Sequence, residues 1–260
     1  MTPDLVLTPA PGAAPLRRMI AAQATLETRM LLRNGEQLLL TLVIPLLLLA
    51  AFGLEPLVNL GAGMSRIDFL TPGIIALAVM STAFTSQAIA TGFERRYGVL
   101  KRLGATPLSR TGLISAKTAT VIAIELLQGA LIVLLALAIG WRPYASPAAI
   151  VVAPLLILLG TAAFSGLGLL LAGTLRAEAT LAAANLIYIV LLGVGGVIFP
   201  LARFPAGARP VLELLPSGAL SAGLRSVLQQ GTVFPAGNVA TLVVWAAAAI
   251  ALAARTFKWD

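Results

Sequence analysis

The sequence predicts an all-α integral membrane protein with six transmembrane helices. Three observations predict it. Apolar residues make up 59% of the chain and the mean hydropathy is +0.97, far above a soluble domain. Only 11% of residues are charged. Those charges are gathered between long uncharged runs, at 37–54, 69–93, 118–141, 143–175, 179–202 and 226–254, the third interrupted by Glu125 alone. A helix needs about 20 apolar residues to cross the hydrocarbon core. Each run is near or above that length, the first being the shortest. With 260 residues, the chain reads as a flexible tail over 1–15 and a single transmembrane domain over 16–260.

The same composition excludes several chemistries. The chain has no cysteine and no histidine. Disulfides, thiol nucleophiles, the usual zinc ligands and the usual triad base are therefore absent from its repertoire. It carries no GxxxxGK[ST], HExxH or CxxC motif, so no cofactor or metal is expected in this chain. The net charge of +8 raises the question of nucleic acid. The basic residues sit beside spans rather than in one soluble patch, so the expected partner is the lipid bilayer and not nucleic acid.

Residues 1–15 hold Pro3, Pro9, Pro11 and Pro15 with an alanine tract, and lack the basic start and short apolar core of a signal peptide. Leu16–Asn34 has helical periodicity. Leu16, Met19, Ile20, Leu26, Met30 and Leu31 share a face opposite Arg17, Arg18, Thr25 and Arg29, while Gln23 and Glu27 interrupt the apolar side. This is the pattern of an amphipathic helix lying in the membrane interface.

After the second span comes the densest charge in the chain, FERRYGVLKRLGATPLSRTGLISAK at Phe93–Lys117, with Glu94 the one acid among Arg95, Arg96, Lys101, Arg102, Arg110 and Lys117. On a helix, Phe93, Tyr97, Val99, Leu100 and Leu103 fall on one side. Glu94, Arg95, Gly98, Lys101 and Arg102 fall on the other, with Arg96 an exception among the apolar residues. Thr106-Pro107 ends the helix, because proline pushes the residue before it out of the α region. The expectation is one short amphipathic helix over Phe93–Gly104.

The third span contains Glu125, about 12 Å beyond Lys117 at the helical rise, with Gln128 one turn on along the same side. An ionisable group at that depth is costly and faces a cavity or a partner. Two readings stand: a polar lining for substrate or a proton-linked group, and a structural hydrogen bond to a neighbouring span. In the fourth run, Pro147 and Pro154 place the start in a loop or a first turn. Gly160, Gly166, Gly168 and Gly173 in the fourth span, and Gly193, Gly195 and Gly196 in the fifth, suit close helix packing. The segment 200–235 carries Pro200, Pro205, Pro210, Pro216 and Pro235. Within it, Ala208–Leu215 and Ser217–Gln230 are apolar enough to be two short helices re-entering the outer leaflet.

Orientation follows from the basic residues. With the N-terminus inside, thirteen of the 18 lysines and arginines fall on inner segments. Both termini and the Phe93–Gly104 helix are then cytoplasmic, in a multi-pass protein of the plasma membrane.

Three of these features together resemble the membrane subunit of an ATP-binding-cassette exporter of the type 2 permease family, the group that includes daunorubicin-type drug export permeases. They are the amphipathic helix at Leu16–Asn34, the pattern ERRYGVLKRLGATPLSR at Glu94–Arg110 running on to Ala116-Lys117, and the short helices before the last span with PSGALSAGLRSVLQQG at Pro216–Gly231. The resemblance covers nearly the whole chain, and its second feature is the most specific. It implies that Leu16–Asn34 is a connecting helix and that the helix after the second span is a coupling helix docking on a separate ATPase. Glu94, Arg95, Gly98, Lys101 and Arg102 would contact that ATPase, and Phe93, Tyr97 and Leu100 would hold the helix to the spans. ATP and magnesium would belong to the ATPase subunits. A second permease copy, or a sister permease, would complete the pathway, with Glu125 and Gln128 as possible path residues.

The expected function is export of amphipathic drugs or antibiotics, since the spans are broadly apolar and lack a dense polar channel. Export of a lipid or a lipid-linked glycan is the alternative, and the 6% aromatic content leans away from sugar stacking. A non-transporting anchor subunit is a third class. A membrane enzyme would need a serine–lysine pair, and Ser115 and Lys117 point in different directions on a helix.

Overall fold

The structure, a computed structural model, describes residues 12–54, 65–144 and 146–256. Most of the expected tail, at 1–11, lies outside the described residues, as do 55–64 and the terminal basic residue Lys258. The described residues form helices and no strand. Helix α1 is Leu16–Arg33. Helix α2 spans 35–54 and includes a π-helical stretch at Leu39–Val43. Helix α3 is Arg66–Arg96, with a second π stretch at Met80–Ser86. The short α4 is Val99–Gly104, followed by α5 at Arg110–Ala138, α6 at Pro147–Thr174 and α7 at Ala177–Val194. Two short helices, α8 at Arg209–Glu213 and α9 at Pro216–Leu228, precede α10 at Ala236–Thr256.

Among the described residues, five helices are long and apolar enough to cross a membrane: α3, α5, α6, α7 and α10. The first of the six expected spans is a shorter apolar helix, Thr41–Leu54.

The core is built around α3. Its most apolar stretch is 89% buried, and it touches α2, α5, α6, α7 and α9. Phe69, Leu70, Ile74, Leu77, Met80 and Phe84 on α3 are all buried. Close packing on α6 relies on small residues. A Cβ on Gly166 would stand 2.8 Å from the Ala249 side chain and 2.9 Å from the Ile250 backbone of α10. One on Gly168 would stand 2.9 Å from the Phe84 carbonyl. These are the backbone approaches that small residues permit between membrane helices.

The fourth uncharged run forms one helix of 28 residues. Pro147 occupies its first turn, where its missing N–H is no loss, and Ser146 caps it by accepting from Ala149 N at 3.1 Å. Pro154, expected in a loop or first turn, lies inside the helix instead. Apolar spans tolerate an interior proline because neighbouring helices support the freed backbone groups.

Candidate functional site

One end of the bundle gathers α1, the end of α3, α4, and the starts of α5 and α7. The expected continuous helix over Phe93–Gly104 is broken there. Residues Phe93–Arg96 complete α3, and the chain turns at Tyr97 and Gly98 before α4 begins. Gly98 sits in the left-handed region with φ 68°, which a side chain disfavours and which ends the helix. The turn rearranges the expected faces. Leu100 is buried, but Tyr97, expected to hold the helix to the spans, is 62% exposed. Its ring stacks on Phe93 with centroids 6.0 Å apart and lies under Arg96 at 5.8 Å. Lys101 and Arg102 are exposed, and Gly98 is partly so.

Glu94 and Arg95 are engaged within the chain. Arg95 Nη2 donates to the Leu175 carbonyl at the end of α6, and Arg96 pairs with Glu178 in the first turn of α7. Glu94 meets Lys117 of α5, whose Nζ lies 2.9 Å from Oε1 and 2.7 Å from Oε2. Lys117 is itself buried, and its Nζ is 3.5 Å from Glu27 of α1. Gln23 donates to Glu27 at 2.8 Å, and the Thr120 hydroxyl lies 3.2 Å from the Ala24 carbonyl. Gln23 and Glu27, the residues that interrupt the apolar face of α1, are thus the ones turned toward α5. Leu26 and Met30 of that apolar face are exposed. One buried cation ties three helices, and an apolar setting strengthens such a pair while making either partner costly to lose. Lys117 is committed to two carboxylates and Ser115 is exposed, so the two form no nucleophile–base pair.

Deeper in α5, Glu125 and Gln128 point into the chain's own core, and both are buried. The Thr161 hydroxyl on α6 lies 2.6 Å from Glu125 Oε2. The Gln128 amide accepts from the Thr82 hydroxyl at 2.8 Å and donates to the Thr41 carbonyl. Thr41 and Thr82 belong to the two π stretches, so Gln128 joins the irregular segments of α2 and α3. Such segments interrupt the i→i−4 ladder and leave backbone groups that a side chain can satisfy.

At the opposite end, α8 and α9 fall where two short helices were expected. Nearly all of α9 is buried, against α3, α6 and α10. Sequence reading passed over Arg225. It is 8% exposed, donates from Nε to the Phe69 carbonyl at 3.0 Å and from Nη2 to the Val197 carbonyl at 2.9 Å, and lies 3.9 Å above the Phe69 ring. An arginine in a strongly apolar helix was the available signal, since a charge there requires several partners. Gly73 makes room for it: a Cβ there would stand 2.2 Å from the Val197 carbonyl oxygen and 2.7 Å from Arg225 Nη2.

No curated protein matches the chain. A family model described as ABC-2 type transporter matches residues 22–229, from within α1 through the whole of α9. The chain belongs to the ABC-2 type transporter family, as a membrane domain.

Proposed function

We propose that the chain is the permease half of an ATP-driven exporter of amphipathic small molecules, and that α4 with the Tyr97–Gly98 turn is its contact with a separate ATPase. The family membership supports a membrane subunit of an ABC transporter. The observation that carries the coupling role is the division of labour among the charges. Lys101 and Arg102 are exposed at the tip, while Glu94, Arg95 and Arg96 bind α5, α6 and α7. A force applied to α4 therefore reaches three spans through short polar links. In this reading Lys101 and Arg102 touch the ATPase directly, and Glu94 and Arg95 pass its movement on. Glu125 and Gln128 act as ties inside the bundle. Both termini are cytoplasmic, and α1 lies in the inner interface with Leu26 and Met30 toward lipid.

The test is co-purification of the ATPase with the double variant K101E/R102E. Retention falling to background, with unchanged membrane insertion and monodispersity, is the expected result. Undiminished retention together with undiminished transport would rule out α4 as the contact.

A further inference from the structure

The end of the bundle that gathers α1, α4 and the starts of α5 and α7 leaves one sign of charge uncompensated. Among the side chains described there, the acids are Glu27, Glu94 and Glu178. Each is already paired, the first two with Lys117 and the third with Arg96. The charge still open to the surroundings is basic, and α1 carries more of it than any other element, as Arg17, Arg18, Arg29 and Arg33. All four are exposed, and none pairs with a carboxylate among the described residues.

The placement of these arginines on α1 is specific. The helix turns Gln23 and Glu27 toward α5. At about 100° per residue, Arg18, Arg29 and Arg33 fall on one stripe on the far side. Met19, Leu26 and Met30 fall on the stripe between those arginines and α5. Leu26 is 54% exposed and Met30 64%. A basic row bordering an open apolar row fits an anionic membrane surface. The apolar side chains enter the acyl boundary, and the guanidinium forks match phosphate oxygens two at a time. A soluble acidic partner would meet the arginines but leave Leu26 and Met30 in water, so the pairing of the two rows favours lipid.

We propose that α1 selects anionic phospholipids of the inner leaflet, with Arg18, Arg29 and Arg33 on the headgroup phosphates and Met19, Leu26 and Met30 in the acyl boundary beside them. The proposal rests on the reading above that α1 lies in the inner interface, and it adds the class of lipid that the helix holds.

The full chain is reconstituted with its ATPase in phosphatidylcholine vesicles containing trace spin-labelled phosphatidylglycerol or trace spin-labelled phosphatidylcholine. Electron paramagnetic resonance reads the fraction of each label immobilised at the protein. A several-fold preference for phosphatidylglycerol is expected. It should fall toward parity in R18Q/R29Q/R33Q, persist in K101Q/R102Q, and weaken in high salt, which screens exposed charges. No preference with the unsubstituted chain overturns the proposal, and so does a preference that the triple variant retains. Loss of ATPase co-purification in the triple variant with the lipid preference intact would assign the arginines to a protein partner instead. If the triple variant fails to accumulate, R29Q and R33Q are tested singly, and an unchanged preference in both overturns the proposal. A second measurement separates this proposal from the reading beneath it. The chain has no cysteine, so M30C accepts a single fluorescent label. Failure of brominated acyl chains to quench that label removes α1 from the interface, whereas quenching without a lipid preference removes only the anionic selection.

Discussion

Gly73 shows how one missing side chain can organise an end of the bundle. Its neighbours are the Val197 carbonyl and the Arg225 guanidinium, and both are committed to each other. Backbone at 2.2 Å from a new Cβ cannot yield as a side-chain tip would. Gly73→Ala is therefore expected to destabilise by about 2 kcal/mol, the scale of overpacking in a filled core. Heating in detergent followed by size-exclusion chromatography reads this as a lower temperature of half-loss. An alanine variant as heat-resistant as the parent would show that the Arg225 contacts are dispensable. At this scale the sequence was partly legible. Glu125 and Gln128 stood out because polar groups in an apolar run are costly. What they bind was not legible, because Thr41, Thr82 and Thr161 come from three other helices. Arg225 was counted only among the outer basic residues, since its burial depends on α3 and the Val197 carbonyl.

At the scale of elements, boundaries carried by local chemistry were readable. Pro15 and Asn34 bracket α1 closely. The Thr106-Pro107 stop falls just beyond α4, which ends at Gly104. The break at Gly98 was missed, because the apolar periodicity runs through it, and a left-handed glycine leaves no trace in a helical projection. Pro154 misled in the opposite sense, since a proline stop signal is weak where neighbouring helices support the backbone. The Gly98 turn makes a prediction of its own. Gly98→Val places a β-branched residue at φ 68° and should cost on the order of 1–2 kcal/mol locally. Asparagine tolerates that region far better. Gly98→Val is expected to weaken ATPase co-purification and Gly98→Asn to preserve most of it. Equal behaviour of the two would mean that the turn geometry does not matter to docking.

Across the whole molecule, Lys117 is the point where α1, α3 and α5 meet. Removing its charge in Lys117→Met leaves Glu27 and Glu94 facing each other in a poorly hydrated setting. The expected loss is on the order of 3 kcal/mol, at the low end for a broken buried pair because Glu94 keeps some solvent. Adding Glu94→Gln to Lys117→Met should recover part of the thermal stability in the same heating assay. If the single variant is as stable as the parent, the three helices are held by apolar packing alone. The class of fold was legible from composition and run length, because bilayer thickness constrains both. The central position of α3 was not. An uncharged run looks alike in sequence whether lipid or protein surrounds it, and only α3's hydroxyl and amide residues, from Ser81 to Thr91, hinted at the difference.

Those residues bear on how the chain is made. Helix α3 is the least apolar of the five long spans and the most completely enclosed by the others. Ser81, Thr82, Thr85, Ser86, Gln87 and Thr91 are all shielded in the finished bundle. When α3 leaves the ribosome, α5, α6 and α7 have not yet been synthesised, so a translocon must release it into lipid with those groups uncovered or hold it until they arrive. Insertion scales penalise such groups near a helix centre. On the second of these routes the second span would partition late, completing its entry into the bilayer only as later spans close around it.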